Sequence, residues 1–411
     1  MVHIDHIYHP DWHTARGLAR FCTQGEGAIH IRKLAPREGY AGEGFVVDFQ
    51  WLESESEVSA LGGYKRLGGG IYLSDDLTTA CRVRYGGHDY LPTDRGFAGA
   101  GLIVRTTACN YTVVGYHAVR VHEMTSNWVA LASRSVLDAE HPLRRLLSPF
   151  IVLSAHVDAV CSTIIMHAEQ LIGRANPAWD ARSHAYLCRH SRDTFHYESL
   201  PAGLTRRGLM HGATLLTEHA EEEVALWNIF YDFVSNYVDA CDCWSTDAGV
   251  EGDKGVRAFF TELSTLWDKG CPTLPPAAVT SKASLIEFCT WFIYQVTAHH
   301  EQTGQFVANA TLEWDYMWFS LRDAPVDNVN ALVPSLQDRW TYVIGAALTQ
   351  SPTPRLCSDF SRFFHEPTRH TVQKLHADLE AFHIALTKRN AKRVQPILWV
   401  DPHRLPIAVG V

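Results

Sequence analysis

The sequence predicts a mainly α protein: a single large helical domain with a minor β and loop segment at its N-terminus. Two observations carry this. From about residue 111 onward, apolar residues recur at helical spacing in one segment after another. Before that point, glycine-rich turns separate short β-type runs. A chain of 411 residues with 46% hydrophobic and 20% charged residues is long enough, and ordinary enough, to bury one large core.

The N-terminal segment, residues 1–105, holds the turns Leu61-Gly62-Gly63, Gly68-Gly69-Gly70 and Gly86-Gly87, then Gly96, Gly99 and Gly101. The runs Gly44 to Phe49 and Leu102 to Arg105 read as strands between them. This segment is expected to pack on a helical domain spanning 106–411, which carries the chemistry. Helices are expected over Tyr111 to Leu131, Ile151 to Ile172, Glu221 to Ala240, Lys254 to Trp267, Ser284 to about Ala310, Leu332 to Leu348 and Thr371 to Arg389. Proline-rich connectors at 272–276 and 351–354 divide some of them.

Net charge is -9, so there is no basic footprint for nucleic acid or an anionic membrane surface. No apolar run reaches the roughly 18 residues a bilayer demands; the nearest, Leu285 to Ala298, is interrupted by Glu287. The first residues are polar and His-rich, unlike a secretory leader. Ten cysteines lie scattered without a CxxC pair, as expected of reduced thiols in a cytoplasmic protein.

Twenty-three histidines are the unusual component, and their placement is informative. In Val113 to His122, positions 114, 117, 118, 121 and 122 follow one helical stripe, so His117 and His122 border an inward face. On an ideal α-helix a five-residue spacing sets them about 140° apart, too wide for one ion. A π-bulge would bring them together. The same pattern also suits two core-edge histidines with hydrogen-bonded rings. The later helix opens at Ser284-Leu285-Ile286-Glu287, which reads as a capping box. Its stripe Leu285, Cys289, Phe292, Val296 continues to His299 and Thr303, with His300 one step further round and Gln302 about 60° to the other side. His299 is thus the ring expected to face inward. Finally, Leu405 to Val411 is apolar. If such a tail docks inside, it buries a terminal carboxylate that needs a cation, and a metal ion would serve; lying on the surface, it would need none.

In order along the chain, further motifs join these. His141-Pro142-Leu143-Arg144-Arg145-Leu146-Leu147-Ser148-Pro149 resembles the HP-x-x-K/R-LL-x-P segment of lipoxygenases. Leu200-Pro201-Ala202-Gly203-Leu204-Thr205-Arg206-Arg207-Gly208 resembles their LPADL-x-x-RG stretch, with Gly203 in place of the acid. Leu226 to Val234 and the Ser284 to Gln305 helix resemble the helices that follow, and the chain ends in a β-branched aliphatic residue. The resemblance spans roughly 300 residues in the lipoxygenase order.

That resemblance implies one non-haem iron per chain, with manganese as a variant, held by His117, His122, His299 and the carboxylate of Val411. A weaker fourth side-chain position lies one turn after the third histidine. Aligning on the histidine pair gives Thr303, while aligning strictly on Gly304-Gln305 gives Ala298 and Gln302. The resemblance also places Val157, Cys161 and Ile165 on the substrate pocket, and makes metal-bound hydroxide the catalytic group, with no separate protein acid or base. The activity implied is dioxygenation of a polyunsaturated, 1,4-diene fatty acid or similar lipid to a hydroperoxide. The alternative is the same iron fold acting on a non-lipid metabolite or rearranging a hydroperoxide. The partners are then a lipid-like small molecule and O2, without nucleic acid or stable membrane insertion. The chain lacks the family's N-terminal β-sandwich, so it resembles a short form.

Overall fold

A computed structural model describes residues 10–36, 38–160, 178–268, 279–306, 316–341 and 354–409. Near the N-terminus, strands β1 (Arg32–Lys33), β2 (Glu43–Asp48), β3 (Gly70–Ser74), β4 (Ala80–Tyr85) and β5 (His88–Tyr90) form an antiparallel sheet in sequential order. Tyr85 pairs with His88, leaving Gly86 and Gly87 as a two-residue turn with φ of 60° and 76°. Both φ values are positive, as a type I′ hairpin requires, and glycine reaches them without strain. The β2 strand coincides with the run read from sequence.

Leu102 to Arg105 is not a strand. It lies within the helix Phe97–Tyr111, which packs Ala100, Val104 and Ala108 against Ile71, Leu73 and Val83 of the sheet. The small residues around it mark close packing rather than turns. A Cβ at Gly99 would overlap the Val326 carbonyl, and one at Gly101 would press into Leu18. This helix passes directly into Thr112–Asn127 and Trp128–Val136, giving one rod over 97–136. The division expected at 105/106 falls inside it.

Beyond the rod, Glu218–Asp239, Lys254–Asp268, Lys282–Tyr294 and Arg369–Asn390 lie close to their expected positions. The Glu218–Asp239 helix is central: it packs against both Lys282–Tyr294 and Arg369–Asn390. Phe230, Phe233, Tyr237, Phe259, Phe288 and Trp291 join these helices in one large aromatic core. The second contact is fastened by Glu222, which accepts from Arg389 Nε and Nη2 at 2.6 Å each and from Arg393 Nη2 at 2.7 Å.

Three expected boundaries move. The capping box sits one turn earlier: Ser281 is extended (φ -141°, ψ 157°) and exchanges bonds with Ser284, so Ser284 is the third helical residue rather than the cap. The helix expected from Leu332 starts later: the separate short helix Val329–Leu332 ends where Val333 precedes Pro334 and adopts ψ 133°, and the chain is helical again over 336–341. Ser154–Val160 starts the helix expected at Ile151, following Leu153 at φ 64°. Its continuation over 161–172, with Cys161 and Ile165, lies outside the described residues, as do 342–348 of the Leu332 expectation.

The C-terminal segment runs inward. Leu356 N donates to Leu405 O at 2.8 Å and Ile407 N donates to Pro354 O at 2.9 Å. Ile407, Ala408 and Val409 are buried in the main core. Val411 lies outside the described residues. Among the described residues, no helix is long and apolar enough to cross a membrane, and the eight cysteines carry free thiols.

Candidate metal centre

The rod over 97–136 changes its winding where the first two histidines lie. Thr112–Asn127 is π-helical, so the backbone closes i→i+5 bonds and residues five apart come onto one face. The loosened carbonyls find side-chain donors: Thr125 Oγ1 bonds Arg120 O at 2.7 Å, and Trp267 Nε1 bonds Met124 O at 2.7 Å. His117 and His122 consequently meet, Nε2 to Nε2, at 3.1 Å. The π winding that would bring them together is present, extended over a whole segment.

The second helix carries the same device. Lys282–Tyr294 is α-helical, but Gln295–His299 is a π turn. The extra residue advances the helix phase by one position, about 100°. The stripe that points to His299 in a regular helix therefore delivers His300. His300 Nε2 lies 3.1 Å from His122 Nε2. The third histidine of the cluster is thus His300, not His299. The His299 ring turns aside, stacked on Tyr294 (centroids 6.3 Å, 24° between planes) and edge-on to Tyr116 at 6.1 Å.

His117, His122 and His300 present nitrogens that all lie within 4.8 Å of one another. His122 and His300 are 2% and 5% exposed and His117 is half-buried. Burial, reinforced by the neighbouring imidazoles, lowers the pKa of His117 and His122 well below the usual histidine value, so the rings are neutral near pH 7 with lone pairs available. Converging neutral imidazoles without a thiolate suit redox iron or manganese, whereas closed cysteine-rich sets suit structural zinc. The donor set fits the implied metal.

Neither side chain considered for a fourth ligand joins this cluster. Gln302 Nε2 lies 3.0 Å from His219 Nε2, and Thr303 Oγ1 donates to the His299 carbonyl at 2.7 Å. Gly304 lies four residues beyond His300, and a Cβ there would overlap the His117 ring. Val157 is buried on Ser154–Val160, which packs against the π-helical segment.

Sequence reasoning missed a buried polar network behind the centre. His219 Nε2 lies 2.9 Å from Glu223 Oε2, and Tyr294 OH donates to Glu223 Oε1. Burial pushes the Glu223 carboxyl up, but His219, Arg207 and Tyr294 outweigh it and hold it at about 2. Gln302 ties this network to the His300 helix. The signal was available: 219, 223, 226 and 230 follow i, i+4, i+7, i+11, placing His219 and Glu223 on the stripe of Leu226 and Phe230.

On the other side of the centre, His30 Nε2 lies 2.7 Å from Thr112 Oγ1, and its ring meets Tyr116 at 5.2 Å. Burial lowers its pKa to about 3, with Arg207, Arg120 and His299 acting in the same direction. Between about pH 6.5 and 3 the unfolded chain takes up this proton and the folded chain does not. The His30 contribution is therefore complete above the unfolded value and declines in acid by about 1.4 kcal/mol per pH unit. Urea midpoints measured from pH 7 to 4 should fall less steeply in His30→Phe than in the wild type; parallel curves would refute this.

The sequence model of the lipoxygenase family matches residues 100–310, just over half of the chain and both histidine helices. The chain belongs to the lipoxygenase family. This lipoxygenase-family chain is similar to a polyunsaturated fatty acid lipoxygenase of Mus musculus, 22% identical over 348 residues, covering 78% of this chain and 50% of that protein. It is also similar to a chloroplastic linoleate 13S-lipoxygenase of Solanum tuberosum, 26% identical over 230 residues, covering 51% of this chain and 25% of that one. It therefore spans half or less of the length of these curated relatives. The fold is shared with coral 8R-lipoxygenase (TM-score 0.84, 14% identity, 98% of this chain and 67% of that one). It is shared equally with a LOX variant solved in complex with arachidonate (TM-score 0.83, 15% identity, 96% and 67%).

Proposed function

We propose that this chain is a non-haem iron dioxygenase acting on a polyunsaturated fatty acid or a similar 1,4-diene. The observation that carries this reading is the meeting of three imidazoles, His117, His122 and His300, from two helices that both unwind into π turns to bring them together. Iron, when bound, would supply the redox chemistry of hydrogen-atom removal from the methylene between two double bonds, with dioxygen adding to an end of the resulting delocalised radical to give a conjugated-diene hydroperoxide. The protein's part is to hold the ion through these rings and to exclude water. The buried tail fits a role for the Val411 carboxylate as a further ligand. Glu301, next to His300, is pushed up to about 7 by burial against the pull of Arg355 and Arg404, and Arg355 forms a bridge with Pro406 of the tail. The free thiols fit a reducing compartment such as the cytoplasm. The relatives named for linoleate and polyunsaturated fatty acids, and the fold shared with a LOX solved with arachidonate, support the lipid substrate.

A second reading keeps the metal and changes the substrate to a non-lipid metabolite or a hydroperoxide. The polar side chains Tyr116, His30 and His299 beside the centre, all half-buried, favour it. Iron-loaded protein incubated with linoleate and arachidonate decides between them. Growth of conjugated-diene absorbance with oxygen uptake supports the first reading; neither signal, with iron present at one per chain, excludes it.

A further inference from the structure

The turn after His300 ends in Gly304. The segment Gln302–Phe306 winds as a further π turn, and the Cβ direction at Gly304 leads onto the His117 ring, so position 304 is where a side chain of this helix would reach an ion held by His300. Glycine has nothing to offer there. The direction its Cβ would take leads into the cluster, onto Nε2, Cδ2 and Cε1 of His117. The polar side chains just before it are committed elsewhere, Gln302 to His219 and Thr303 to the backbone of its own turn. Among the described residues, the three histidines are the whole set of His, Cys, Asp and Glu side chains that converge here.

We propose that the Gly304 face of the metal centre is an open coordination position filled by an exogenous anionic donor, including an oxyanion carried by the substrate itself. The inference rests on the metal reading above and narrows its substrate class. A divalent or trivalent cation held by neutral imidazoles, with at most one chain carboxylate, keeps net positive charge. In a buried site the attraction of that charge for an anion is much stronger than in water. Among the described residues, no side chain has to leave for the anion to bind. A substrate with a hydroxyl or hydroperoxide near its reacting carbon could therefore be anchored through the metal rather than only by an apolar channel, which agrees with the polar residues Tyr116 and His299 nearby.

The test uses the full chain loaded with Co(II), whose visible absorption follows its coordination, and titrates sodium azide as the anion. The expected result is one cobalt per chain and a saturable spectral change in the wild type. Gly304→Ala, which sets a methyl group against His117 Nε2, should load cobalt more weakly and, once loaded at excess cobalt, bind azide at least about tenfold more weakly than the wild type. A loaded wild type that ignores azide overturns the open position. A loaded Gly304→Ala protein that binds azide like the wild type overturns the assignment to this face. Should the variant fail to load even at excess cobalt, the wild-type titration alone decides: saturable azide binding supports the open position and its absence overturns it. Wild-type protein that takes up no cobalt, iron or manganese overturns the metal reading itself, and this inference with it.

Discussion

His300→Ala is expected to purify with almost no iron, while His299→Ala keeps close to the wild-type content. The two residues are neighbours in sequence and differ only in where the π turn at Gln295–His299 sends them. His300 Nε2 lies 3.1 Å from His122 Nε2, whereas His299 packs between Tyr294 and Tyr116. Substitutions that merely support a ligand cost about 10–100-fold in metal affinity, so loss of one imidazole of three should cost at least about 100-fold. Elemental analysis of the two variants, each checked for fold by circular dichroism, measures it. The reverse outcome, with His299→Ala empty and His300→Ala loaded, would mean that the helix keeps regular α phase when metal is bound.

The largest stability effect is expected at Glu222. Its side chain is 1% exposed and faces Arg393, itself 6% exposed, as well as Arg389. Glu222→Ala removes the carboxylate shared by two guanidinium groups and leaves Arg393 charged in the interior. Breaking a buried pair in this way costs about 3–5 kcal/mol. The lower end, about 3 kcal/mol, is expected because Arg393 keeps its bond to Glu218 at 2.7 Å. Arg389→Ala should cost less than about 1 kcal/mol, since Arg389 is 42% exposed and its loss strands no charge that Arg393 does not still meet. Urea unfolding of both variants tests the contrast, and equal midpoints would contradict it.

The architecture was largely legible because long amphipathic helices announce themselves by period. Glu218–Asp239, Lys254–Asp268 and Arg369–Asn390 all sit within a few residues of where their stripes place them. The strand assigned to Leu102–Arg105 failed for a physical reason. A β-branched, apolar run flanked by glycines reads the same whether glycine makes turns or lets a helix approach its neighbours, as Gly99 and Gly101 do here. At the site, the five-residue spacing of His117 and His122 cannot serve one ion on an α-helix, so a shared ion required a π segment, while two core-edge histidines would have needed none. Nothing comparable marks the second helix. With one histidine needed and two adjacent, regular phase chose His299, and a single inserted residue made it His300. The correction also moves the turn-later position from Thr303 to Gly304, which changes the chemistry expected there more than the histidine change does.

The most direct measurement is anomalous diffraction from a crystal of iron-loaded protein at the iron absorption edge. One peak within bonding distance of the Nε2 atoms of His117, His122 and His300 is the predicted result. A peak bonded to His299, or no ordered iron near these rings, would contradict the centre derived from the two π-distorted helices.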